Sequence, residues 1–257
     1  MMDIHCHILP LIDDGPDSIE TSIEMLKIAK REGIEKIIAT PHYYKGVYEG
    51  DINQINSLTS NLNEISKNLN LNIQILKGQE VFLTRDLLRL FKNGTILTLN
   101  SSKYMLIELP FDILPKYALD IIYELRIMGI IPVIAHPERY SYVIEKPSTI
   151  NDFIDEGCLF QINSSSITGD FGREIQRTSQ ILISHNICHF IASDAHSNTK
   201  RIPSLKKSFD ISQKINSNII KNVSNNEEML TNKGQILQDV KKIKENFHIF
   251  NIFKPKW

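Results

Sequence analysis

Nine residues of types that bind metal ions are strung along this 257-residue chain: His5, His7, Asp14, His42, Glu80, Glu108, His136, Asp194 and His196. Neutral imidazoles and carboxylates together suit Mn, Fe or Zn, and the share of carboxylates moves the preference away from a purely structural zinc site. His5 and His7 stand two apart, and in an extended strand such residues point to the same side, so both reach one point. A single histidine or glutamate at a strand end is more often a capping or surface group than a ligand. Nine of them in corresponding places carry more weight. Two arginines stand beside proposed ligands: Arg139 in His136-Pro137-Glu138-Arg139, and Arg201 five residues after His196. A guanidinium group grips phosphate oxygens in a fork that lysine cannot reproduce, so the combination points to metal-assisted chemistry on an anionic substrate.

Such residues gain meaning only if a fold gathers them. Short β-branched or apolar runs recur at 3–8, 35–40, 73–80, 103–108, 131–136, 158–163 and 187–194, and each reads as a strand. Between them lie segments with apolar residues every three or four positions, such as Ile19, Ile23, Leu26 and Ala29, or Ile52, Ile55, Leu58, Leu62, Ile65 and Leu69. Leu119, Ile122, Leu125 and Met128 form another. Gly33, Gly129 and Gly157 follow helical segments, where a cap with positive φ belongs. Repeated βα units imply an α/β fold with parallel strands and right-handed crossovers. Seven of them suggest closure into a barrel, with a doubly wound sheet as the alternative. In a parallel barrel the strand ends surround one mouth, and the proposed ligands sit at those ends or in the loops just after them. From about Pro203 the pattern becomes helical, and the chain ends in an aromatic and basic tail with Phe250, Phe253, Lys254, Lys256 and Trp257. One domain over residues 1–257 is expected, with closing helices from about 203.

Composition narrows the class further. With 42% hydrophobic and 23% charged residues the chain reads as an ordinary globular protein. No run reaches the roughly 18 apolar residues of a membrane-spanning helix, and a strand beginning at Asp3 leaves no room for a signal peptide, so a cytoplasmic protein is expected. A net charge of −1 gives no general basic field for nucleic acid. Cys6, Cys158 and Cys188 stand singly in apolar runs without CxxC spacing and are expected to be buried thiols.

The motifs themselves resemble those of the PHP superfamily, the polymerase and histidinol phosphatase group of metal-dependent phosphoesterases. Asp3-Ile-His-Cys-His-Ile-Leu-Pro10, Ile12-Asp-Asp-Gly-Pro16, Ala39-Thr-Pro-His42, Gly78-Gln-Glu80, Leu106-Ile-Glu108, Ala135-His-Pro-Glu-Arg-Tyr140 and Ala192-Ser-Asp-Ala-His196 are similar to those of its CpsB and YwqE-like bacterial tyrosine phosphatases. The resemblance spans about residues 3–203; Leu11 departs from it, standing where the family usually has glycine.

The resemblance implies a distorted (βα)7 TIM-like barrel holding three divalent ions, often manganese, with iron, magnesium or zinc as alternatives. By analogy His5, His7, Glu80 and Asp194 surround one ion, Glu80, Glu108 and His136 a second, and Asp14, His42 and His196 a third. The implied reaction is hydrolysis of protein phosphotyrosine without a covalent phosphoenzyme. Arg139 and Arg201 would hold the phosphate oxygens, and Asp194 is one candidate proton donor. The implied substrate is a bacterial tyrosine autokinase with a tyrosine-rich tail, controlling capsular or exopolysaccharide synthesis. Tyr43, Tyr44, Tyr140 and Tyr142 are candidates for an aromatic rim around the phosphotyrosine ring. Cysteine-based chemistry would need an arginine six residues after the thiolate, and Ile12, Ser164 and Asp194 stand there instead. Two rival readings remain open at this point: a small-molecule phosphatase of the histidinol-phosphate type, and a catalytically idle metal-bound module that binds the kinase.

Overall fold

A computed structural model describes residues 1–237 and 239–244; the aromatic and basic tail lies outside the described residues, as does His248. Among the described residues ten strands run in the order β1 (Met2–Cys6), β2 (Lys36–Ala39), β3 (His42–Tyr44), β4 (Tyr48–Glu49), β5 (Gln74–Lys77), β6 (Glu80–Phe82), β7 (Tyr104–Glu108), β8 (Ile131–Ala135), β9 (Leu159–Asn163) and β10 (Phe190–Ala192). Each of the seven expected runs contains strand. The structure also splits two of the regions in a way that the sequence reading did not foresee. His42 opens a further strand, β3, and Glu80 opens β6 rather than ending the strand before it.

Both interruptions have a local cause. Pro41 has no N–H for a ladder, so the strand breaks between β2 and β3. Across from it, Gly78 sits so close to the neighbouring strand that a Cβ there would lie 2.9 Å from Ile38 Cγ2 and 3.1 Å from Leu99 Cδ2. The N–H of Gly78 still donates to Ala39 O (2.9 Å) and that of Glu80 to Pro41 O (3.1 Å), so the two broken strands stay side by side. As a result β1, β2 and β5 form one sheet, and the other is ordered β10-β9-β8-β7-β6-β3-β4. All pairs are parallel except the β3–β4 hairpin. The first and last strands also meet: His7 N donates to Ala195 O and Asp194 N to His5 O, each at 2.8 Å.

Helices pack against this parallel array. Ile19–Arg31 starts at Ser18, whose side chain accepts from Thr21 N, and Ile52–Asn68 starts at Asp51, which accepts from Gln54 N. Ala118–Ile127 is the third helix expected from apolar spacing, and Gly33, Gly129 and Gly157 have φ of 74°, 79° and 74° near helix ends. Met25, Leu26, Ile55, Leu62, Ile122 and Leu125 bury this apolar stripe in one large core with Ile37, Ile107 and Ile134. Each such side chain taken from water stabilises the fold by roughly 1.5–3 kcal/mol before the entropic cost of ordering it. The expected closing helices are Lys206–Ile215 and Ile219–Thr231. Leu230 and Ile236 join Ile4, Leu106, Val133 and Phe190 in a second cluster. The Tyr104 hydroxyl ties down the following segment by donating to Gly234 O and accepting from Ile236 N, both at 2.9 Å. All three cysteines are buried, as expected.

Candidate metal centre and aryl cavity

The nine proposed ligands converge. Four groups have donor atoms all within 4.8 Å of one another: His7, Asp14, His42 and His196; His5, His7 and Glu80; His5, His136 and Asp194; and His42, Glu80 and Glu108. Together these groups use all nine residues and no others. Strand register contributes directly, because β3 sets His42 opposite Glu80 and β6 sets Phe82 opposite Glu108. His7 lies one residue beyond β1, yet its Nε2 stands 3.1 Å from His5 Nε2. Glu80 is the hub. Its Oε2 lies 3.2 Å from His5 Nε2, 3.2 Å from His7 Nε2 and 3.0 Å from His42 Nδ1, while Oε1 lies 3.0 Å from His136 Nε2.

This donor set fits divalent cations. Octahedral ligands about 2.1 Å from an ion lie about 3 Å from one another, which is the spacing around Glu80 Oε2. That oxygen is buried without a hydrogen-bond partner, as is His196 Nε2. Charge points the same way. Burial first, and then the carboxylates of Glu80 and Asp194, push Glu108 up to about 9, so negative charge is crowded here. Burial lowers His136 to about 4, keeping its imidazole neutral with a lone pair to share. Although burial opposes ionisation of Asp194, His5 and Arg201 hold its carboxyl well below the usual range. Asp194 Oδ2 is the oxygen on which Asn163 Nδ2 and both arginines converge.

A ring of supporting residues went unread in the sequence. Asp13 Oδ2 lies 2.7 Å from His7 Nδ1 and accepts from His42 N at 2.9 Å, and its Oδ1 accepts from Gly15 N. Gln161 Oε1 lies 2.8 Å from His5 Nδ1; Gln161 Nε2 donates to Asn163 Oδ1 (2.8 Å), and Asn163 Nδ2 donates to Asp194 Oδ2 (2.7 Å). Acceptors at Nδ1 fix the tautomer that turns the Nε2 lone pair toward the cluster. Glu138 Oε1 accepts from Asn163 N at 2.9 Å, and burial pushes that carboxyl up to about 7. Asp3 joins the first strand to the segment after the last one by accepting from Ser193 N at 3.0 Å and from the Ser193 hydroxyl. One signal was available: Asn163 closes its strand as Glu108 closes β7, and only its residue type kept it out of the ligand set.

Both arginines face the cluster through one carboxylate. Arg139 Nη1 stands 3.1 Å and Arg201 Nη2 2.5 Å from Asp194 Oδ2. The Arg139 guanidinium packs over the rings of Phe111 and Phe171, its carbon 4.9 Å from each centroid. Above the donors opens a cavity of about 280 Å³, walled by Tyr44, Tyr48, Phe82 and Phe111 and reached by both arginines. This corrects the expected rim. Tyr43 is 4% and Tyr140 0% exposed, so both belong to the core, and Tyr142 does not line the cavity. Of the four proposed tyrosines only Tyr44 faces it, stacked on Phe82 at 4.2 Å. Tyr48 and Phe111 were missed because one lies in an unforeseen hairpin and the other in a loop.

Leu11 adopts φ 59°, in the left-handed region where a β-carbon costs about 1–2 kcal/mol. The loop nonetheless delivers Asp14 Oδ1 to 3.5 Å from His42 Nε2 and 3.2 Å from His196 Nε2.

A family model described as capsular polysaccharide synthesis, CpsB/CapC, matches residues 1–237. The chain belongs to the CpsB/CapC family. Among its relatives, the tyrosine-protein phosphatase YwqE of Bacillus subtilis is 42% identical over 196 residues, 76% of this chain and 77% of the relative. The putative tyrosine-protein phosphatase CapC of Staphylococcus aureus is 42% identical over 210 residues, 82% of each chain. A crystal structure from work on YwqE of Bacillus subtilis and CpsB of Streptococcus pneumoniae, described as metal-dependent tyrosine phosphatases, superimposes with a TM-score of 0.91 at 37% identity. It covers 95% of this CpsB/CapC chain and 100% of the solved one.

Proposed function

We propose that this chain is a metal-dependent protein-tyrosine phosphatase whose substrate is a bacterial tyrosine autokinase governing capsular or exopolysaccharide synthesis. The observation that carries the reading is a cavity with a floor of converging imidazoles and carboxylates, a wall of aromatic rings and two arginines at its edge. Kinship with the tyrosine-protein phosphatases YwqE and CapC supports it. His5, His7, Asp14, His42, Glu80, Glu108, His136, Asp194 and His196 would hold three divalent ions, manganese foremost. Glu80 stands at the centre of that set, with one oxygen near His5, His7 and His42 and the other near His136. Divalent ions there would supply Lewis-acid charge, bringing the pKa of a water down toward neutrality and neutralising phosphate oxygens.

The chain's own residues do the rest. Arg139 and Arg201 spend one contact each on Asp194 and keep further N–H groups for phosphate oxygens as charge builds on them. Phe111 and Phe171 fix the plane of the Arg139 fork. Tyr44, Tyr48, Phe82 and Phe111 offer the substrate ring an apolar seat and exclude water. Asp13 and Gln161 keep His7 and His5 aimed at the floor. A phenol leaves with a pKa of about 10 and needs less protonation than an aliphatic alcohol. Closure of the parallel strands into a distorted seven-stranded barrel is supported by the hydrogen bonds between His5, His7 and the 194–195 segment. One domain spanning 1–257 and a cytoplasmic location complete the reading; no helix among the described residues is long and apolar enough to cross a membrane.

The test is phosphotyrosine-peptide turnover with parallel metal analysis. Chelation is expected to abolish turnover and manganese to restore it, while Cys6→Ser stays active. His136→Ala is expected to lose metal, and Arg139→Ala to keep metal but lose turnover. Full activity in metal-free protein would overturn the reading.

A further inference from the structure

A second depression of about 470 Å³ lies between residues 14–21 and residues 196–201. Asp14 and Arg201 line both it and the aryl cavity, so the two adjoin at the edge of the metal cluster. Its walls are polar. Asp17 and Thr21 face it on one side, and Ser197, Asn198, Thr199 and Lys200 on the other.

The lysine wall has a defined shape. His196 N and Ser197 N both donate to Arg201 O (2.9 and 3.1 Å), folding the loop back on itself, and Ser197 Oγ accepts from Thr199 N and Lys200 N (3.3 and 3.2 Å). Of the other charges here, Arg139 and Arg201 contact Asp194 and Asp14 contacts His42 and His196, while Asp17, across the groove from Lys200, accepts among the described residues only from the Thr21 hydroxyl, so an acidic partner is favoured on the Lys200 side alone. Lys200 is exposed and makes no ion pair with any described residue.

We propose that this groove seats the polypeptide flanking the phosphotyrosine, and that Lys200 pairs with an acidic side chain close to it. The inference rests on the phosphotyrosine reading of the adjoining cavity. A cavity of about 280 Å³ takes one side chain, so the chain bearing it must run out over the rim. Hydroxyl and amide groups suit the peptide backbone of an extended segment, whereas an apolar partner would find little but Pro16. The loose cation supplies the charge preference.

The test uses manganese-loaded protein and three substrates: p-nitrophenyl phosphate, a phosphotyrosine peptide with glutamate at the adjoining positions, and the same peptide with lysine there. The parent is expected to favour the glutamate peptide by about fivefold in kcat/KM, the size of an exposed ion pair. Lys200→Glu is expected to reverse that ranking, and Asn198→Trp, which fills the groove, to raise KM for both peptides. Neither change should alter p-nitrophenyl phosphate turnover. Peptide kinetics indifferent to both substitutions, or peptides and p-nitrophenyl phosphate falling in parallel, would overturn the groove alone. A parent that cleaves p-nitrophenyl phosphate but neither peptide would remove the protein-phosphatase reading and the groove with it.

Discussion

The Tyr140 hydroxyl is the sharpest place to test how the ligands are held. It donates to Ala135 O at 2.8 Å and accepts from Leu109 N at 2.9 Å, and the side chain is fully buried. Ala135 precedes His136 and Leu109 follows Glu108, so one oxygen ties together the two strand ends that deliver those ligands. Tyr140→Phe keeps the ring and its edge-on contact with His136 at 5.8 Å, and removes only the tie. An orphaned buried N–H costs about 1–3 kcal/mol and a weakened carbonyl adds to that, giving about 2–4 kcal/mol in all. At this chain length the unfolding temperature should fall by roughly 5–15 °C. Urea unfolding of metal-free protein reads the stability term without interference from bound ions. Manganese titration reads the positioning term, expected as a 10- to 100-fold loss of affinity, roughly the range for residues that support metal ligands. A stability change below about 0.5 kcal/mol, smaller than a typical single hydrogen bond, would refute the satisfaction argument. Unchanged affinity would show that Glu108 and His136 hold their places without the tie.

Other expectations follow from the same reasoning. Glu227 accepts from Met2 N at 3.1 Å, and burial raises its pKa from 4.5 to about 7. The folded protein thus holds this proton more tightly than the unfolded chain; the contribution is complete below about pH 4.5 and lost as pH rises through about 7, worth about 3 kcal/mol at most. Glu227→Gln should flatten that part of the stability profile, as read from urea midpoints at pH 5 and pH 8. Gly15→Ala would set a Cβ 2.6 Å from His7 O and 2.9 Å from Asp13 Oδ1, displacing the loop of Asp13 and Asp14. It is expected to cost about 1–3 kcal/mol and to weaken metal binding in a titration. Tyr48→Ala should raise KM for a phosphotyrosine peptide about 2- to 10-fold, the value of one aromatic contact, with a smaller effect on kcat.

Much of the site was legible because its residues obey a simple rule of place. His7, Glu108 and His136 sit at or just past the ends of parallel strands, and strand runs can be read from apolar sequence. What escaped depends on contacts between distant segments. Asp13 reads like any loop carboxylate until His7 and His42 are set against it. Gln161 and Asn163 carry side chains that no ligand search selects, yet they link His5 to Asp194. Tyr43 and Tyr44 are neighbours in sequence, but strand alternation buries one and exposes the other, so only one of the two can belong to a rim.

The meeting of β1 with the segment after β10 has a consequence for biogenesis. Asp3 and Ser193 are 190 residues apart in sequence, and the donors of His5 and His7 share a cluster with those of Asp194 and His196. No partial product emerging from the ribosome can complete this centre until the chain has been made past His196. Closing so long a loop is slow and comes late in folding. Tight metal uptake therefore reports a finished molecule, and nascent or truncated chains should leave the cell's metal pool largely alone.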